Sequence, residues 1–490
     1  MKVNTMDQRS FGRTALRGGL VTAGSQLIKM VVQFLSVVIL ARLLVPEDFG
    51  LMASVGPIAA FISLFQNMGL QQAVIQRKDI TPAQLNEVFW VSTAVGLGST
   101  AVLVALSPAV AAFYGDPRMT AITIASALPL LIGSLAALPL ALMNRNLQFT
   151  QLAINDVTST VGGFAVTAMA AYLGFGYWSL AIGPAVAVAI VLLSAWLSTG
   201  WMPGRPTLRV DHDIISFGLN LTGFNLVNFF SRNLPNILIG KYSSTIELGY
   251  YDRAYKLLLF PLQNINQPLT RVMIPMLSRI QDDKPRFRDI YMRTNWLLAA
   301  VTMPGIGALT CASGPVVNFL FGPQWQPVTP IFAWLGIASL VQPTGNTTGW
   351  IFICQGKTKT MFHWGIYSSL TAVLSFFVGL PWGATGVAAA YAISGYVLRI
   401  PVLAVLLHRI GPVTGWDFMS IQGLFLISSL LAWIGCDALA KSELLGNDLW
   451  SISAAVVLNY GIALVLALIY PPSRRNLLAS WKNVTAPLRR

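Results

Sequence analysis

The 490-residue chain is 55% hydrophobic and only 10% charged, where a soluble domain carries about 25% charged residues. That composition excludes the soluble enzyme classes and describes a polytopic membrane protein. The net charge of +14, from 32 Lys and Arg against 18 Asp and Glu, would suggest nucleic acid in a soluble chain; here basic cytoplasmic loops account for it, and no nucleic-acid partner is expected.

A membrane-spanning helix needs about 20 residues, and strand-period alternation is absent, so an all-α architecture is predicted. Fourteen spans fit the chain, near residues 17–44, 50–71, 87–113, 119–143, 151–173, 177–200, 213–240, 247–277, 293–320, 328–353, 360–380, 384–408, 417–440 and 449–470. Arg9, Arg13 and Arg17 precede an apolar stretch too long for a signal peptide and without a small-residue cleavage site, so the first span is retained. Of the 32 basic residues, 22 fall in loops on one side, four (Arg42, Arg118, Lys241, Lys441) on the other, and six inside spans. This asymmetry predicts cytoplasmic termini. Cys311, Cys354 and Cys436 are odd in number and far apart, and His212, His363 and His408 are scattered, so no disulfide framework, metal or cofactor is expected.

The first and seventh spans repeat at an offset of 199 residues without a gap. Gly19 meets Gly218, Gln26 meets Asn225, Lys29 meets Asn228 and Gln33 meets Arg232. At the outer end, Arg42, Asp48 and Gly50 meet Lys241, Glu247 and Gly249. A repeat of six spans returns the chain to the same side, so the halves run parallel about an axis along the membrane normal, a common transporter design. The organisation expected is an N-terminal lobe (1–210), a C-terminal lobe (211–411), and two extra helices with a basic cytoplasmic tail (412–490). Both outer motifs are expected to be structural, with Gly50 and Gly249 giving tight entry into the following helix.

A charge at bilayer depth costs ~2.5–3.5 kcal/mol on insertion scales, so intramembrane cations mark functional candidates. Lys29 shares one helix face with Thr22, Gln26, Gln33 and Ser36. Asn225, Asn228, Arg232 and Asn236 form the matching stripe of span seven. Span two offers Gln66, Asn67, Gln71 and Gln72, and span eight Asp252, Arg253, Lys256, Gln263 and Gln267. The predicted site is a wet cationic cavity between the halves, suited to an anionic substrate and to phosphate especially. Lys29, Arg232, Arg253 and Lys256 supply its charge; Gln26, Gln33, Asn67, Asn225 and Asn228 its hydrogen bonds. Asp252 and Lys256, four apart, can pair and leave Arg253 as the free cation, which could close an outer gate against Asp48 or Glu47. Arg271 and Arg399 read as interfacial anchors, and Asp156 as the partner of a basic neighbour.

The stretches "ARLLVPEDFGLMA", "QQAVIQRKDITPAQLNEVFW", "ALMNRNLQF", "GYYDRAYKLLLFPLQNINQPLTRVMIPMLSRIQDD" and "FGPQWQPVTPIFAWLG" resemble Wzx-type polysaccharide flippases of the colanic acid exporter kind. The resemblance covers most of residues 10–410. It implies the multidrug/oligosaccharidyl-lipid/polysaccharide exporter fold, with two six-helix lobes and two extra helices. It also implies translocation of an undecaprenyl-pyrophosphate-linked oligosaccharide across a bacterial inner membrane by alternating access. The implied partners are that lipid-linked substrate, membrane lipids, a polysaccharide polymerase and a chain-length regulator. The related lipid II flippase has lumenal arginines in its first, second and eighth helices. Here the first carries Lys29, the eighth Arg253 and Lys256, and the second only Gln66 and Asn67. The two helices after residue 410 resemble a lipid-binding groove of that flippase, though with low polar content.

Two other classes compete. A membrane glycosyltransferase would use acids in the first outer loop, where Glu47 and Asp48 lie, but the motif recurs at Glu247 and a symmetric element argues for structure. A drug or cation antiporter of the same superfamily needs buried carboxylates, whereas the cavity helices are net basic. The chain is therefore read as a transporter and not an enzyme.

Overall fold

The computed structural model describes residues 8–66, 71, 74–75, 80–206, 229, 233–441, 447–475 and 477. Among them, every regular element is helical. The chain divides into two compact units, Met1–Gly249 and Tyr250–Arg490. Asn67, Asn225, Asn228 and Arg232 lie outside the described residues.

In the first unit the helices are α1 (Gln8–Leu43), α2 (Pro46–Gln66), α3 (Pro82–Tyr114), α4 (Arg118–Arg145), α5 (Phe149–Tyr172) and α6 (Tyr177–Thr199), followed by the start of α7 (Thr245–Ser278). The ends of α3 are set by local chemistry. The Thr81 hydroxyl accepts the Gln84 N–H at 3.3 Å while the Gln84 side chain accepts the Thr81 N–H at 3.0 Å, and Gly115 closes the helix at φ 76°. At 1.5 Å per residue, its 33 residues make about 50 Å, longer than a bilayer core of ~30 Å. Helix α3 packs on α4, α4 on α6, α5 on α6, and α1 on α5. Small residues permit the α5–α6 approach: a Cβ on Gly163 would lie 2.7 Å from the Ala187 Cβ, and one on Gly183 would overlap the Thr167 hydroxyl.

The second unit holds the rest of α7, then α8 (Lys284–Cys311), α9 (Ser313–Phe321), α10 (Val328–Leu340), α11 (Gln342–Cys354), α12 (Thr358–Gly379), α13 (Gly383–Ser394), α14 (Ile400–Ile410), α15 (Gly415–Lys441) and α16 (Asp448–Ile469). Two spans expected to be continuous are broken. Helix α9 leaves α8 at 81°, because Pro315 cannot donate to the preceding turn; α10 and α11 are separated at Val341, with Pro343 in the first turn of α11. A π-helical turn, Gly395–Arg399, joins α13 to α14. Helix α8 is the hub, packing on α10, α15 and α16. Helix α15 is fastened to it by polar groups: Arg288 reaches Asp417 through two hydrogen bonds of 2.8 and 2.5 Å, and Gln422 donates to the Thr344 hydroxyl on α11 at 3.1 Å.

Eight helical stretches among the described residues are long and apolar enough to cross a membrane, or nine with the bent α8–α9 pair. One of the eight, Thr358–Ile410, has 53 residues, or about 80 Å as helix. It is interrupted at Leu380–Trp382 and so is long enough for two crossings. The chain is a multi-pass membrane protein.

Candidate functional site

The cations expected within the membrane are held in three different ways among the described residues. In the first unit, the Lys29 ammonium on α1 pairs with the Asp156 carboxylate on α5 at 3.0 Å. Asp156 thus has the basic neighbour expected for it. Gln26 and Gln33, one turn to either side of Lys29, are exposed. Helix α1 as a whole is thinly covered: Leu27 and Val31 are 61% and 55% exposed, so its polar stripe is accessible along with its apolar faces.

In the second unit, Asp252 sits one turn into the Tyr250–Ser278 part of α7 and bridges two cations. Its carboxylate meets the Arg253 guanidinium at 2.7 Å and the Lys256 ammonium at 2.9 Å. The expected Asp252–Lys256 pair is present. Arg253, however, is not the free cation: it is buried and shares the same carboxylate. Adjacent residues on a helix do not normally face each other, but an arginine is long enough to fold back onto its neighbour's carboxylate. Lys256 is the exposed member, with 52% of its side chain accessible.

Arg399 is held by its own helix. Its Nη2 donates to the Tyr391 carbonyl at 2.6 Å and to the Ser394 hydroxyl at 3.4 Å, and its guanidinium carbon lies 4.2 Å from the centre of the Tyr391 ring. An interfacial anchor would extend toward the nearer helix end, Ile410. Arg399 folds the opposite way, because side chains on a helix lean toward its N-terminus.

Glu47 and Asp48 are committed within the first unit. Glu47 meets Arg118 at 2.6 Å, and Arg118 also meets Asp116 at 2.7 Å. The hydrogen bond from Arg118 holds the Asp116 carboxyl below the usual carboxylate range. Asp48 accepts the Val45 N–H at 3.2 Å and the Tyr177 N–H, tying the α1–α2 corner to the start of α6. Lys241 donates to the Phe113 carbonyl near the end of α3 and lies 4.9 Å from that ring's centre.

Gly50 and Gly249 meet each other's motif. A Cβ on Gly50 would overlap the Thr245 carbonyl, and one on Gly249 would overlap the Pro46 carbonyl. Pro46 and Thr245 are themselves offset by 199 residues. The contact is therefore reciprocal, as in a two-fold interface. Neither glycine has positive φ, so close backbone approach, and not a tight turn, is what requires them.

No group of three His, Cys, Asp or Glu able to hold a metal occurs among the described residues. In the second unit the described residues place two basic side chains on one carboxylate in the α7 cluster and a third, Arg399, on a carbonyl and a hydroxyl.

A family model described as "Polysaccharide biosynthesis protein" matches residues 39–330. The teichuronic acid biosynthesis protein TuaB of Bacillus subtilis (strain 168) is 25% identical over 480 residues, 96% of this chain and 98% of that protein. The lipopolysaccharide biosynthesis protein WzxC of Escherichia coli (strain K12) is 22% identical over 348 residues, 70% of each chain. Among solved structures, the lipid II flippase MurJ in an inward closed conformation aligns with a TM-score of 0.76 at 14% identity, covering 94% of this chain and 100% of that one. At that identity the likeness speaks for the fold.

Proposed function

This chain belongs to the polysaccharide biosynthesis protein family, and from that premise we propose that it is a flippase for an undecaprenyl-pyrophosphate-linked oligosaccharide. It acts by alternating access, in the bacterial inner membrane, with both termini cytoplasmic. In this reading the chain has fourteen spans, in two parallel six-helix lobes (1–210 and 211–411) with two further helices (412–490). The reciprocal Gly50–Gly249 contact supports that repeat. The polysaccharide-biosynthesis names of TuaB and WzxC, together with the fold shared with the lipid II flippase, support a role in moving a lipid-linked sugar.

The observation that carries the reading is the α7 cluster: Arg253 and Lys256 both meet the Asp252 carboxylate, and Lys256 keeps 52% of its side chain accessible. An accessible ammonium at membrane depth suits a pyrophosphate and repels the cationic cargo of an antiporter. Lys29, Arg232, Arg253 and Lys256 are assigned to the pyrophosphate, with Lys256 the exposed member of its cluster. Gln26, Gln33, Asn67, Asn225 and Asn228 are assigned to sugar hydroxyls. Glu47 and Asp48 remain assigned to the outer end, where a gate would close.

Reconstitution tests this. A polyprenyl-pyrophosphate oligosaccharide bearing a fluorophore on its sugar is placed in both leaflets of vesicles, and a membrane-impermeant quencher is added outside. The expected result is quenching of the outer leaflet alone without protein, and of both leaflets with it. Persistence of the inner-leaflet signal with folded protein would overturn the reading. Elongation of the sugar from an added nucleotide sugar would favour the glycosyltransferase.

A further inference from the structure

Arg399 has a setting that neither anchoring nor helix capping accounts for. It lies ten residues before Arg409, about 15 Å along the helix, which is near the middle of a hydrocarbon core of ~30 Å. A charge there is costly unless something takes it. All its hydrogen bonds among the described residues run from Nη2. No carboxylate pairs with it there, and its Nε–H is buried without an acceptor.

The surroundings fix the guanidinium in place. The Tyr391 carbonyl, which also accepts the Gly395 N–H, takes Nη2 just before the π-helical turn. The Tyr391 ring covers one face, and that ring is stacked on Phe376 at 5.6 Å, Phe376 being 2% exposed. Gly395 leaves room for the fold-back: a Cβ there would lie 3.1 Å from Nη2. If the arginine served only to donate to that carbonyl, a neutral donor would do so without burying a charge. A full positive charge, held through Nη2 and with no carboxylate beside it among the described residues, leaves Nη1 in a fixed plane as the donor to a phosphate oxygen.

We propose that Arg399 is a phosphate-binding residue at the α13–α14 π-turn, which takes the pyrophosphate group of a lipid-linked substrate at mid-membrane depth. The proposal rests on the flippase reading and adds to it a cation outside the α1 and α7 groups. Tyr391 and Gly395 are its positioning residues.

The test uses the full-length protein in lipid nanodiscs and three probes: a polyprenyl pyrophosphate, phosphatidylglycerol and inorganic pyrophosphate. Arg399→Gln should weaken polyprenyl pyrophosphate binding about tenfold to a hundredfold, the worth of a charge-assisted hydrogen bond. Arg399→Lys, which keeps the charge but not the pinned planar guanidinium, should recover only part of the affinity, and phosphatidylglycerol binding should not change in either variant. Unaltered affinity in folded Arg399→Gln would overturn the proposal and leave the flippase reading standing. A wild-type protein that binds polyprenyl pyrophosphate no better than phosphatidylglycerol would overturn both. If inorganic pyrophosphate bound as tightly as the lipid and with the same Arg399 dependence, the site would belong to a soluble anion, which also overturns the lipid assignment. Labelling of the wild-type protein by phenylglyoxal decides the matter if Arg399→Gln does not fold. Polyprenyl pyrophosphate should protect Arg399 from modification and phosphatidylglycerol should not; equal labelling with and without the polyprenyl lipid would overturn the proposal.

Discussion

The two units handle charge within their helices in opposite ways. In the first, Lys29 and Asp156 form a pair of zero net charge between two helices, with side chains 22% and 48% exposed. In the second, one carboxylate with 6% of its side chain exposed serves two cations, and a third cation has none among the described residues. The difference teaches that counting cations overstates the charge offered to a substrate. Lys29 is available only if Asp156 lets it go. In the α7 cluster both cations meet one carboxylate, and its exposed end is Lys256.

Breaking the buried cluster should have the largest effect. Asp252→Ala leaves Arg253 buried beside Lys256 without their shared carboxylate, and should cost about 3–5 kcal/mol, read as a large fall in thermal midpoint and protein level. A midpoint near wild type would mean that Arg253 reaches solvent. Crowding the reciprocal contact comes next. Gly249→Ala places a methyl on the Pro46 carbonyl and should destabilise by about 1–3 kcal/mol, and Gly50→Ala by a similar amount. A cost confined to one glycine would contradict the two-fold reading. Lys29→Gln should weaken binding of the pyrophosphate lipid about tenfold with little loss of stability. Asp156→Asn sharpens that test: it breaks the same pair, should cost at most about 1 kcal/mol, and should not lower affinity. If it weakened binding as much as Lys29→Gln, the pair would act as one structural unit.

The smallest effect is a pH dependence at the Glu47–Arg118–Asp116 clasp. Its hydrogen bond from Arg118 lowers the folded-state pKa of Asp116 beneath the usual 3.8. The stability it contributes is therefore full above that value and fades as pH falls through the lower folded value. Thermal midpoints of wild type and Asp116→Asn should differ at pH 7 and converge below about pH 4. A constant difference across that range would mean that the carboxylate charge plays no part.

Some of this was legible in sequence because it depends on near neighbours or on composition. Membrane class followed from the charge content, and the Asp252–Lys256 pair from a spacing of four. The glycines of the outer motifs were found by their 199-residue offset, although the reason for them was not. That reason is a backbone contact between segments far apart in the chain, which leaves no local trace. The same holds for Lys29 and Asp156, 127 residues apart, and for Arg118 and Glu47, 71 apart. Arg253 was misread because helix spacing describes where a side chain starts and not how far it folds. Arg399 was taken for an anchor from its distance to a helix end. The lean of side chains toward the helix N-terminus was a signal in the sequence that argued otherwise. The fastening of α15 to α8 and α11 was missed because Asp417 and Gln422 are few, and few polar groups suffice where each is buried against a partner.

The central claim is that positive charge held within the helices selects a pyrophosphate-linked cargo. The most direct measurement compares, in the same vesicles, the transbilayer rates of two lipids with the same oligosaccharide and polyprenyl chain, one joined through pyrophosphate and one through an uncharged linkage. The account predicts that the protein accelerates the pyrophosphate lipid at least about tenfold more than the neutral one, the margin expected from losing one charge-assisted contact. Equal acceleration of the two would contradict it and leave the sugar, and not the charge, as what the protein recognises.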